Sequence, residues 1–144
     1  MGDAYDSDDI WTVFAESSIT LHHDGRERLV GRDRLPWEGP VFVLTAWNPG
    51  RTRPLADNIE ANRRLERLIE DRGFSWCTAV GASPDGSWSE DGFAVSGPDR
   101  EEAVALGARF GQMAIYELDR DRVLIVTCPE GRVIDVTDRR AGQG

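Results

Sequence analysis

The chain has 144 residues, of which 40% are hydrophobic and 30% charged, and its formal net charge is −9. This length and composition predict one domain, 1–144, with frayed termini at 1–6 and 139–144. No apolar run approaches the roughly 18 residues of a membrane span, and the acidic start has no apolar signal segment. We therefore expect a cytoplasmic protein with no membrane partner. The negative charge argues against a nucleic-acid partner, because phosphates are bound by basic side chains.

The first third of the chain predicts two elements and a long connection. A short helix is expected to begin at Ser7, since serine is a good N-cap and the acidic residues after it suit the positive end of the helix dipole. Its apolar stripe runs to Phe14. Residues 18–23 (SITLHH) are predicted to form a strand. Residues 24–40 are charged, contain proline and glycine, and are predicted to be a loop.

The segment Val41–Trp47 is apolar at almost every position, which is typical of a strand buried on both faces. A helix is predicted over residues 55–72. Pro54 suits the first turn of that helix, and Gly73 suits the residue just past its end. An interior strand is thus followed directly by a helix.

The rest of the chain predicts short strands around one further helix. Helices segregated among hairpins favour an α+β (mixed α/β) fold with one mixed sheet, a mostly antiparallel C-terminal half and about three helices. The predicted elements are strands over 74–82 and 88–95 joined by the turn SPDGS, a helix over 97–111 started by Pro98, and strands over 112–118, 122–128 and 132–138.

Two asparagines interrupt the apolar face of the predicted helix 55–72. Asn58 and Asn62 lie one turn apart near the middle of that face. Burying an amide without a partner costs roughly 1–3 kcal/mol, so each needs a hydrogen-bond partner. The partner is either the backbone of the preceding loop or a ligand. If it is a ligand, replacing the asparagines with leucine should leave the melting temperature unchanged or raised for at least one of them.

The loop before this helix is the second reason to expect a site here. In open α/β sheets, ligands bind beyond the carboxyl ends of strands. The helix N-terminus also presents free N–H groups to an anion, and Arg51 and Arg53 add positive charge. A ligand that bears an anionic or polar group is therefore expected beside this loop.

Four short motifs carry a resemblance to a known family. TAWNPG, the two helix asparagines, SWSEDGFAV and ARFGQMAIYEL occur in this order within residues 41–128. In this order and spacing the chain resembles the bacterial domain-of-unknown-function 3293 family. The resemblance implies no activity. It implies that the matching positions are Asn48, Pro49, Gly50, Asn58, Asn62, Glu90, Gly111 and Gln112.

Glu90 and Gln112 also stand out on their own residue type and position. Glu90 alternates with Trp88 on one face of a strand, and a carboxylate beside an indole in a partly dry place could serve as a general acid or base. The alternative is a solvated hairpin charge. Gln112 follows a helix end, and its amide could either complete a polar cluster or bond the local turn.

Metal and cofactor sites are not indicated. His22 and His23 are adjacent and would face opposite sides of a strand, so they cannot readily chelate one ion. Cys77 and Cys128 lie in apolar segments typical of buried free thiols. No phosphate-binding glycine motif is present. We predict no metal and no cofactor.

Two functions of different classes are compatible with these patterns. The first is the binding of a small polar or nucleotide-like ligand at an Asn/Glu/Gln cluster, with or without catalysis by Glu90. The alternative is a non-enzymatic acidic domain that meets a basic protein partner, as a regulator or nucleic-acid mimic. For the first, Glu90 is the catalytic candidate and the predicted ligand-binding residues are Asn48, Pro49, Gly50, Arg51, Asn58, Asn62 and Gln112.

Overall fold

The computed structural model describes residues 14–49 and 52–137, which form one eight-stranded sheet with helices packed on it. The strand order is β2-β1-β4-β5-β3-β6-β7-β8, and all the pairings between described strands are antiparallel. The α+β prediction is confirmed. The strands are β1 (Ser18–His23), β2 (Arg26–Leu29), β3 (Val41–Leu44), β4 (Ser75–Ala82), β5 (Ser89–Ser96), β6 (Ala114–Asp119), β7 (Arg122–Thr127) and β8 (Val133–Asp135); the helices are α1 (Leu55–Asp71) and α2 (Arg100–Arg109), and residues 14–16 are also helical.

The sheet buries both of its faces. Alternate side chains of a strand point to opposite faces, so Phe42 and Leu44 of β3 join the core under α1 and α2, while Val41 and Val43 join the core on the other face. On that second face, the segment 14–17 packs against the sheet. Two apolar layers therefore enclose the central strands, as the continuous apolar sequence of β3 predicts.

Local sequence signals explain the two long helices. Gly73, just past α1, has φ 73, a conformation that glycine adopts without strain. Asp99 caps α2 by accepting a hydrogen bond from the backbone N–H of Glu102, whose side chain in turn accepts one from the N–H of Asp99. Both helices lie where the sequence predicts them. Neither described helix is long and apolar enough to cross a membrane.

The structure differs from the sequence prediction in three places. The sheet is antiparallel among the described strands and not mixed. Arg26–Leu29, within the predicted loop 24–40, forms the edge strand β2, whose charged side chains suit an edge exposed to water. The strand predicted over Val41–Trp47 ends at Leu44, because the chain then leaves the sheet. Of the helix expected from Ser7, only residues 14–16 belong to the described part of the chain, and both predicted frayed termini lie outside it.

Candidate functional site

The site begins where β3 leaves the sheet. β3 pairs with β5 as far as Leu44 and Phe93, and beyond that point the carbonyl of Asp91 has no strand partner on this side. The Thr45 hydroxyl and the Asn62 amide donate to that carbonyl at 2.6 and 2.9 Å. Side chains thus replace the ladder hydrogen bonds that the strand ceases to make.

The backbone of residues 46–48 is held in the same way. Asn62 Oδ1 accepts from the N–H of Ala46 at 2.9 Å, and Arg53 donates to the Ala46 carbonyl at 2.7 Å. Gln112 donates to the carbonyl of Trp47 at 3.1 Å. Buried backbone groups outside regular structure need such partners. The polar residues of α1 and of the segment after α2 therefore fix the course of this loop.

Asn48 and Asn58 bond reciprocally at the turn of the loop. Asn58 Oδ1 accepts from the N–H of Asn48 at 2.9 Å, and Asn58 Nδ2 donates to Asn48 Oδ1 at 2.9 Å. Asn58 Oδ1 also accepts from Arg53 Nε at 2.8 Å. Asn48 has φ 45, a left-handed conformation that asparagine tolerates better than most residues. The paired amides hold it there.

A cavity of about 390 Å³ opens beside this loop. Val43, Ala79, Ala114 and Tyr116 line it, which puts it on the sheet face opposite α1 and α2. The Tyr116 hydroxyl donates to the Phe14 carbonyl at 2.7 Å and so ties the segment 14–17 to the sheet as one wall of the cavity. The polar and aromatic lining includes Thr45, Asn48, Thr52, Trp88, Glu90 and Gln112.

Glu90 is the carboxylic acid among the described residues that line this cavity. It is the second residue of β5, lies opposite Gly81 of β4 and is partly buried. Burial raises the pKa of Glu90 to about 7, and a side-chain hydrogen bond from Asn48 opposes the rise. Desolvation disfavours the charged carboxylate, whereas a donor favours it, and here desolvation is the larger effect. The carboxyl group can therefore either give or take a proton near neutral pH.

Gly111 brings the segment after α2 against the loop. It has φ 73, and a Cβ at this position would lie 2.7 Å from Cβ of Pro49, which is too close for any other residue. The close approach lets Gln112 reach the Trp47 carbonyl while it lines the cavity. Gly111 and Pro49 thus set the position of Gln112.

A family comparison matches this part of the chain. Residues 44–115, half of the chain, match the model of the family described as "Protein of unknown function (DUF3293)". The chain belongs to the DUF3293 family. Comparisons with curated proteins and with solved structures found no match. The resemblance predicted from the sequence motifs is therefore confirmed, and the matched segment contains the loop, Glu90 and Gln112.

The predicted site residues of this DUF3293 domain fall into two groups. Asn48, Glu90 and Gln112 line the cavity together. Asn58 and Asn62 are 3% and 8% exposed and do not belong to its lining. Their amides bond to the loop backbone, which is the first of the two partners that the sequence allows. Pro49 packs on the opposite side of the loop, and Gly50 and Arg51 lie outside the described residues.

Sequence reasoning missed two residues that shape the DUF3293 cavity. Thr45 reads as part of a buried strand, yet its hydroxyl accepts from the N–H of Trp47 at 3.0 Å and donates to Asp91. Gly92 lies inside β5 where a Cβ would collide with the Leu44 carbonyl. A glycine within a strand commonly marks such a close backbone approach, and this signal could have identified Gly92.

The described residues of the DUF3293 domain form neither a metal site nor a reactive thiol. Across residues 14–49 and 52–137, no three histidine, cysteine or acidic side chains are grouped so that they could hold a metal ion. Cys77 and Cys128 are buried free thiols, as predicted. Burial raises the pKa of each thiol to about 11, so both are protonated at neutral pH and poor nucleophiles.

Proposed function

We propose that this domain binds a small polar heterocycle, of nucleobase or nucleoside size, in the cavity beside the loop 45–49. We further propose that Glu90 exchanges a proton with this ligand. The observation that carries the proposal is the Glu90 carboxyl, which lies in a cavity with a pKa raised to about 7 by burial. Ionisable groups with such shifted pKa values cluster at functional sites.

The size and lining of the cavity favour this ligand class. A volume of about 390 Å³ is within the range of small-molecule sites. Trp88, Tyr116 and Phe14 offer aromatic surface to a flat ring, while Glu90 and Gln112 offer polar groups to its edge. Because a glutamic acid and an amide can each both donate and accept, they suit the edge of a heterocycle, which carries donors and acceptors side by side.

The chemistry proposed for Glu90 is general acid–base catalysis. Below pH 7 its carboxyl is neutral and donates a proton; above pH 7 it is ionised and accepts one. A positioned acid or base of this kind accelerates a reaction by about 10²–10⁴-fold. Asn48 would keep the carboxyl in one orientation through its hydrogen bond, and Asn58 in turn holds Asn48.

A thermal-shift screen of nucleobases, nucleosides and related heterocycles at pH 6 and pH 8 tests the proposal. We expect at least one compound to raise the melting temperature, since a ligand that binds only the folded state stabilises it. Its Kd, measured by calorimetry, should depend on pH with a midpoint near 7. Mass spectrometry of the incubated compounds reports whether the bound molecule is converted.

Glu90→Gln is the decisive variant, and Glu130→Gln, at an exposed turn, is its matched control. We expect Glu90→Gln to weaken binding at least tenfold at one of the two pH values, to remove the pH dependence and to abolish any conversion. The control should bind like the parent. If no heterocycle binds, or if the pH dependence survives in Glu90→Gln, the proposal is wrong, and the acidic interaction domain becomes the function to test.

A further inference from the structure

An open groove on the other side of the loop is lined by arginines. Its volume is about 520 Å³, and it lies between α1 and the end of α2, on the opposite face of the sheet from the cavity. Leu68 and Phe110, both partly buried, form an apolar floor. Four arginines belong to its lining, namely Arg53, Arg64, Arg67 and Arg109.

The charge of this groove opposes that of the whole chain. The chain carries 26 acidic against 17 basic residues, yet no acidic residue belongs to the described lining of the groove. Like charges brought together repel, and the repulsion weakens folding unless a counter-charge is bound. A net acidic protein that gathers four arginines without a carboxylate therefore has a groove that is complementary to an anion.

The arginines are available to a ligand. Arg64, Arg67 and Arg109 are exposed, and among the described residues none of the three makes an ion pair or a side-chain hydrogen bond. Glu60 and Asp71 lie one helical turn from Arg64 and Arg67 but are not within ion-pair distance of them in the structure. Surface pairs of this spacing contribute only about 0.2–0.5 kcal/mol, so these carboxylates would compete only weakly with an anion for the arginines.

Arg53 is the arginine of the groove whose side chain is held in place by hydrogen bonds. Its Nε donates to Asn58 Oδ1 at 2.8 Å and its terminal nitrogen donates to the Ala46 carbonyl at 2.7 Å. Both acceptors are neutral, so the positive charge of Arg53 stays uncompensated while its position is set. A guanidinium held in this way loses little side-chain entropy when it binds an anion.

We propose that this groove binds the phosphate group of a small molecule, with the apolar part of that molecule on Phe110 and Leu68. Guanidinium groups bind phosphate through paired, charge-assisted hydrogen bonds, and several around one groove suit a diphosphate better than a single carboxylate. This site is separate from the cavity of Glu90. The loop 45–49 and the segment 110–113 form the wall between the two.

Calorimetric titration with pyrophosphate and with ADP, in about 20 mM salt to limit screening, tests the groove. The test variant is Arg64→Gln/Arg67→Gln/Arg109→Gln. Its control, Arg26→Gln/Arg63→Gln/Arg122→Gln, removes the same charge at exposed positions away from the groove. We expect both ligands to bind the parent protein and the test variant to bind them at least tenfold more weakly, while the control changes the Kd by less than threefold.

Comparison of the two ligands distinguishes the source of the phosphate. Tighter binding of ADP than of pyrophosphate indicates a nucleotide whose base or sugar contacts Phe110 and Leu68. Equal binding indicates recognition of the phosphates alone. Both results support the site. The inference is overturned if neither ligand binds the folded parent protein at millimolar concentration, or if control and test variants weaken binding equally. Glu90→Gln should leave pyrophosphate binding unchanged, which separates this test from that of the cavity.

Discussion

Two loops near the N-terminal end of β5 hold their polar side chains in opposite ways. The turn 83–88 is exposed and local: Asp85 accepts from the Ser83 hydroxyl and from the N–H and hydroxyl of Ser87 at 2.7–3.0 Å. The loop 45–49 is partly buried, and most of its partners, Asn58, Asn62, Asp91 and Gln112, are 10 to 65 residues away along the chain. Hydrogen bonds among neighbouring residues fix the first loop, whereas hydrogen bonds to distant segments fix most of the second.

The two carboxylates near these loops show the same contrast. Hydrogen bonds from Ser87 and Ser83 lower the pKa of Asp85 to about 2, with the backbone N–H of Ser87 as the largest cause. Burial raises the pKa of Glu90, five residues later, to about 7. Water and local donors stabilise the first charge, while the cavity disfavours the second. Burial thus leaves Glu90 able to exchange a proton near pH 7, whereas Asp85 in the exposed turn stays ionised there.

The largest effect is expected for Asn58→Leu, which removes the partner of the Asn48 N–H and of Arg53 Nε. Both would be left unsatisfied, whereas Asn48 Oδ1 would lose Asn58 Nδ2 but keep the backbone N–H of Arg53. Since each unsatisfied buried group costs about 1–3 kcal/mol, we expect a loss of roughly 3 kcal/mol and a melting temperature lower by at least about 6 °C. Urea denaturation measures this loss.

Arg63→Leu is the control for that experiment, because it adds a leucine at an exposed position of the same helix. It should change the unfolding free energy by less than about 0.5 kcal/mol. If the asparagines lined a ligand site instead, at least one of the two leucine substitutions would leave the melting temperature unchanged or raised. A melting temperature of Asn58→Leu equal to that of the parent would show that the loop does not depend on its partners.

A smaller loss is expected for Asn62→Leu. It leaves the N–H of Ala46 without its partner, but the Asp91 carbonyl keeps the Thr45 hydroxyl. We expect a cost of about 2 kcal/mol, again by urea denaturation. Together with Asn58→Leu, this variant ranks the two amides by the number of groups they satisfy; a larger loss for Asn62→Leu than for Asn58→Leu would contradict that ranking.

Glu90→Gln is expected to stabilise the protein at high pH. The raised pKa means that folded Glu90 binds its proton more tightly than unfolded Glu90 does, so parent stability falls as the pH rises from about 4.5 to about 7 and is constant above. Glutamine cannot ionise. We therefore expect the variant to be more stable than the parent by about 1–2 kcal/mol at pH 8, a value that allows for the partial exposure of the carboxyl.

Denaturation curves at pH 5, 6.5 and 8 check this prediction. The difference between Glu90→Gln and the parent should be close to zero at pH 5 and grow towards pH 8. Glu130→Gln serves again as the exposed control and should show no such trend. A stability difference that is the same at all three pH values would mean that the Glu90 carboxyl titrates normally.

The smallest effect is expected for Asp85→Ala in the exposed turn. The lowered pKa means that Asp85 stabilises the fold above the pKa of the unfolded carboxyl and that this contribution is lost as the pH falls towards about 2. Because water can replace the serine hydroxyls, the melting temperature at pH 7 should fall less than for either asparagine variant. NMR titration of the carboxyl carbons should give midpoints near 2 for Asp85 and near 7 for Glu90.

The sequence by itself determined the elements whose causes are local. The capping box at Asp99, the glycine after α1, the SPDGS turn and the apolar run of β3 each specify their structure within a few residues. It also singled out Asn48 through the family resemblance, and Glu90 and Gln112 through their residue type and position; all three line one cavity in the structure. The family match over 44–115 is likewise a property of the sequence.

Only the tertiary structure decided how these residues are used. The antiparallel strand order, the edge strand Arg26–Leu29 and the early end of β3 depend on pairings between distant segments, which periodicity does not encode. The same holds for the amides. Whether Asn58 faces a ligand or a backbone is set by where Asn48 lies, ten residues earlier. The arginine groove unites positions 53, 64, 67 and 109, and only the packing of α1 and α2 on one sheet face brings these charges together.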